Sequence, residues 1–145
     1  MPIDLRSPDL AMSLALDPYA PRAARYHVAQ VDRPSPDLRD AVVLLTSELV
    51  TRAVAHDSAA SAKLELRAWM PADVVRVELR APHQSLGALA DQDPHDYSLM
   101  LLDELADRWA LDEAGPLACM WFEIDRHGHA SDPSPPPGGR QQSLA

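Results

Sequence analysis

The chain has 145 residues, 46% of them hydrophobic, with a formal net charge of −9 and a pI near 4.9. That length allows one domain with a single core, and a mean hydropathy of −0.23 without an apolar run of roughly 18 residues excludes a membrane-spanning helix. The acidic balance, with scattered arginines and Lys63 as the only lysine, argues against direct binding to DNA or RNA.

Residues 1–10 hold two prolines and no period, and are read as a flexible arm. Ala11–Leu16 is a strand candidate closed by Asp17-Pro18, because the residue before proline is driven extended. Arg22–Val31 follows as a helix, and 32–37, DRPSPD, links it to the next.

Asp40–His56, DAVVLLTSELVTRAVAH, is the longest helix-periodic stretch, within a helix predicted from about Asp37. Val42, Leu45, Leu49, Ala53 and Val54 make one apolar stripe. Glu48, Arg52 and His56 stand four apart on another face. By spacing alone this is a core helix with a Glu48–Arg52 ion pair, worth about 0.3–0.5 kcal/mol if exposed.

Lys63–Trp69 and Val74–Leu79 alternate apolar and charged residues around the turn Met70–Asp73, which predicts a β-hairpin with one wet and one buried face. Residues 81–97 have no sustained period and read as a long loop. Leu99–Trp109 is a second amphipathic helix, and strands are expected at Ala110–Asp112 and Cys119–Ile124 across a Gly115-Pro116 turn. From Arg126 on, the Pro-rich composition predicts a disordered tail. The order β-α-α-β-β-loop-α-β-β gives an α/β fold, a two-layer sandwich with a mixed, mostly antiparallel sheet and helices on one face.

Other chemistry-bearing residues are sparse. His127 and His129 are two metal-capable side chains in the tail, too few for a site. His83 and His95 flank the long loop and read as solvated. Cys119 reads as a small core residue in an alternating strand. As the lone cysteine it forms no internal disulfide, and MPIDLRSPDL lacks a signal-peptide layout; together these point to the cytoplasm. Arginine-rich, Ala/Pro/Asp-rich usage fits a high-GC bacterial genome.

Four segments carry a resemblance: SELVTRAVAH at 47–56, VVRVELRA at 74–81, LLDELADRWALDEAG at 101–115 and MWFEID at 120–125. Over residues 11–125 the chain resembles the GHKL superfamily of histidine-kinase-like ATPase domains, in the anti-sigma-factor serine-kinase branch. The resemblance implies ATP held between the first core helix, the strand after it and a mobile lid. It implies a catalytic Glu, a Mg²⁺-binding Asn four residues on, an Asp that reads adenine, and lid glycines that wrap phosphates.

Only part of that pattern is present. Glu48 matches the catalytic carboxylate and His56 the end of the helix motif. Arg52 replaces the Mg²⁺-binding Asn, and Ala81 the adenine-reading Asp. Asp96-Tyr97-Ser98-Leu99 stands where the lid reads Gly-x-Gly-Leu, and Cys119 replaces a strand Thr. A guanidinium cannot ligate Mg²⁺, which takes oxygen ligands, and alanine offers adenine no acceptor.

The expectation is a pseudo-ATPase without a cofactor, Arg52 pairing with Glu48 in place of the metal. It would act by binding a sigma factor or an anti-anti-sigma-like protein, with homodimerisation implied by the resemblance. The alternative is an active serine protein kinase using ATP and Mg²⁺.

Overall fold

Leucine and methionine alternate with alanine and serine along LAMSLA, so that strand has one apolar face and one small-residue face. It is β1 (Leu10–Ala15) of a computed structural model that describes residues 7–31, 36–55, 62–86, 96–113 and 115–126. There follow α1 (Ala20–Val31), α2 (Pro36–Ala55), β2 (Lys63–Trp69), β3 (Val74–Pro82), α3 (His83–Leu86), α4 (Tyr97–Leu105), β4 (Arg108–Asp112) and β5 (Leu117–Asp125). The strands form one five-stranded sheet in the order β1-β2-β3-β5-β4. β5 returns into the slot between β3 and β4. The α/β class matches the sequence reading, but the sheet is not mixed: every pairing is antiparallel.

Period-2 alternation places the core. Met12, Leu66, Leu79, Met120 and Leu111 stand in one row across all five strands, and Leu10, Ala68, Val77, Phe122 and Trp109 in the next. Both rows join the core shared with the helices. Each fully buried leucine in it contributes about 1.5–3 kcal/mol. On α2, Val42, Leu45, Leu49 and Ala53 are fully buried, as their spacing predicts. Thr46 and Val50 are fully buried as well, so burial is wider than one stripe. The reason is position: α2 touches α1, α3, α4 and β3, which makes it the centre of the helix layer.

Several boundaries move for local reasons. β1 begins one residue before Ala11, and the fold reaches Asp9, whose N–H donates to Ala68 O while its Oδ2 accepts from Met70 N. α1 begins at Ala20, where Asp17 O accepts the Ala20 N–H. β3 runs past Leu79 to Pro82, because Arg80, Ala81 and Pro82 keep register with Cys119, Ala118 and Leu117. Part of the region read as loop is therefore strand and the short helix α3; 87–95, with His95, lie outside the described residues.

The expected helix Leu99–Trp109 is shorter at its C-terminal end. Ala106 turns extended (φ −91°, ψ 143°) while its N–H still reaches Leu102 O. Asp107 N–H then donates to Glu123 O, and Trp109 enters the sheet opposite Phe122. Sheet pairing overrides the helical period there. At the other end Arg126 belongs to the fold, its N–H on Asp73 O and its Nε on Pro71 O at 2.7 Å. The tail from 127, with His127 and His129, lies outside the described residues. Among those described, no helix is long and apolar enough to cross a membrane.

Candidate functional site

The site is built at the start of α4. Asp96 is the N-cap (φ −72°, ψ 120°), and its Oδ1 accepts the Leu99 N–H at 3.2 Å. This satisfies one of the first-turn donors that a helix leaves open and sets a negative charge at the positive end of the macrodipole. Ser98 and Leu99, in that first turn, are both buried. The other oxygen of Asp96 meets Arg52 Nη2 from the last turn of α2. Side-chain exposures of 21% for Arg52 and 5% for Asp96 make this a pair largely removed from water.

The expected Glu48–Arg52 pair is thus corrected. Both residues share a face of α2, but the ion pair of Arg52 runs to Asp96, and Glu48 is a half-buried carboxylate one turn away. A contact across 44 positions of sequence has no periodic signature, whereas the i, i+4 pair does. His56 lies outside the described residues. The side chain of His83 does too.

Ala81 is fully buried on the core side of β3, in register with Ala118, and offers no side-chain acceptor. Cys119 is not brought to the site, and it is not a core residue as its strand pattern suggested. Ala118 and Met120 face the core, so parity sends Cys119 to the opposite, open face of the sheet, where it is half-buried beside Arg80. Burial pushes its thiol pKa up, Glu78 adds to this, and a hydrogen bond with Arg80 opposes it. A thiol so placed is a poor nucleophile.

That open face holds a charge array that sequence reasoning left as a generic wet face. Arg76 donates from Nε and Nη2 to Glu78 Oε2 (3.1 and 2.9 Å) and from Nη1 to Glu123 Oε2 at 2.8 Å, with its Cζ 4.2 Å from the Trp121 ring centroid. Arg108 donates to Glu123 Oε1 at 2.8 Å and to both oxygens of Asp125, which hold its pKa above the ordinary guanidinium range, with Glu123 second. The usable signal was Arg-x-Glu-x-Arg at 76–80 against Glu-x-Asp at 123–125. The hydroxyls of Thr46 and Ser85 are buried without a hydrogen-bond partner among the described residues, and nothing in the sequence marked them. Among those residues no group of three or more His, Cys, Asp or Glu could hold a metal ion.

No protein-family model matches the chain, and no curated protein matches it.

Proposed function

We propose that this chain is a regulatory protein with a histidine-kinase-like ATP-binding fold whose nucleotide site is filled by its own side chains. It acts by binding a protein partner, a sigma factor or an anti-anti-sigma-like protein, in partner-switching regulation in the cytoplasm. One observation carries the reading: the Arg52–Asp96 ion pair between α2 and the start of α4. In the resembling pattern these two positions bind the metal and wrap the phosphates.

Here a cation stands where Mg²⁺ would need an oxygen ligand. A carboxylate stands where the helix N-terminus would receive a phosphate oxygen, and it already accepts the Leu99 N–H. A second anion at that point would face the charge of Asp96, and a metal would face that of Arg52. Ala81 leaves the adenine amino group without an acceptor. The residues present do not suit Mg-ATP, so no phosphoryl-transfer step is derived.

Calorimetric titration of the chain with ATP and ADP, with and without Mg²⁺, tests this. The expected result is no heat up to millimolar nucleotide. Clear Mg²⁺-dependent binding would overturn it and put the serine protein kinase reading first, with Glu48 as its base.

A further inference from the structure

The sheet has two edges, and they are protected differently. β4, at one edge, carries Arg108 and Asp112 within five residues and is followed by Glu113. β1, at the other, is six residues without a charge, a proline or a glycine. Every second amide and carbonyl of an edge strand points away from its only neighbour, and proteins usually guard such a row with lysine, proline or a bulge. Among the described residues no strand pairs with the outer side of β1.

The packing at that edge is also incomplete. Leu10 and Met12 face the core and pack against it, yet both remain half-buried. Their register partners on β2, Ala68 and Leu66, are fully buried. One more strand beyond β1 would cover Leu10 and Met12 as β1 covers β2.

We propose that the outer edge of β1 docks an extended segment of a partner protein as a sixth strand. Main-chain hydrogen bonds supply the affinity and alternate side chains the specificity. The segment alternates apolar with small residues to continue the rows of Leu10, Met12 and Leu14. It carries Lys or Arg at its ends, because β1 is bracketed by Asp9 and Asp17 in a chain of net charge −9. A second copy fits less well: its own β1 is bracketed by the same two aspartates and brings no complementary cation, and the register centred on Ser13 sets Asp9 against Asp17, where like charges destabilise a strand pair. Two molecules at −9 also repel as wholes. This docking site does not depend on the state of the nucleotide site.

The test uses the full chain, isotopically labelled, and a short synthetic peptide alternating valine and threonine with a lysine at each end. Amide resonances of Leu10–Ala15 are expected to shift on titration, while those of β4 stay in place. The same peptide N-methylated at alternate residues cannot extend the ladder and should leave β1 unchanged. A glutamate-ended version should bind about tenfold more weakly at low salt. No shift in β1 at millimolar peptide, or an equal response to the N-methylated peptide, would overturn the proposal. Shifts of β1 that grow with protein concentration alone would assign the edge to a second copy and overturn it too.

Discussion

Arginine meets carboxylate on both sides of the sheet, under opposite conditions. On the helix side Arg52, itself mostly buried, meets the nearly buried carboxylate of Asp96 and joins two helices remote in sequence. On the open side two cations, Arg76 and Arg108, share Glu123, and each has a second carboxylate, so a lost contact leaves partners behind. Arg108 is also 46% exposed, and water takes over much of what it does. The first contact is nearly dry and ties the last turn of α2 to the start of α4; the second is wetter at Arg108 and shared among several carboxylates.

Substitutions should separate the two. Arg52→Ala leaves Asp96 buried without this counter-charge and should cost about 3 kcal/mol in denaturant unfolding. Asp96→Asn keeps an acceptor for the Leu99 N–H, so a cost close to that of Arg52→Ala would assign the loss to the ion pair rather than the cap. Next comes Arg76→Ala, about 2 kcal/mol, because Glu78 is nearly buried and loses its charge-assisted hydrogen bonds while Trp121 loses its cation. Arg108→Ala should cost at most about 1 kcal/mol. Added salt should reduce the Arg108 effect further while leaving the Arg52 effect nearly intact. Equal costs at Arg52 and Arg108 would mean that burial does not set what these two cations contribute.

The smallest effect concerns Cys119. Its folded pKa is raised, so the folded chain keeps the thiol proton to higher pH than the unfolded chain. Its stabilising contribution is therefore full below the ordinary value of 9.0 and is lost as pH rises through the folded pKa. Unfolding curves across that alkaline range should show a decline that Cys119→Ala flattens. Alkylation of the native thiol at neutral pH should be slower than in the unfolded chain.

Much of the fold was legible because it depends on period. Leu64, Leu66 and Ala68 alternate, Val42, Leu45 and Leu49 recur helically, and both patterns appear as buried faces. What was illegible depends on competition between elements. Trp109 completes a helical stripe on paper, yet Glu123 draws Asp107 into the sheet and Trp109 follows. Parity of β5 was readable from Ala118, Met120 and Phe122, and applying it to Cys119 would have placed the thiol on the open face. Of the candidate site, Arg52, Asp96, Ser98 and Leu99 come together while Cys119 stands apart. The partner of Arg52 was misread, because an i, i+4 neighbour is visible in sequence and a helix cap elsewhere in the chain is not.

Reversing the substitutions at the proposed nucleotide site tests whether its own side chains fill it. Arg52→Asn, Ala81→Asp and Asp96→Gly together remove the internal cation and anion and return an adenine acceptor. After circular dichroism shows the variant folded, it and the unaltered chain are titrated with Mg-ATP in a calorimeter. The expected result is a silent unaltered chain and a variant that gains Mg²⁺-dependent binding. A folded variant that stays silent, or an unaltered chain that binds as well as the variant, would contradict it.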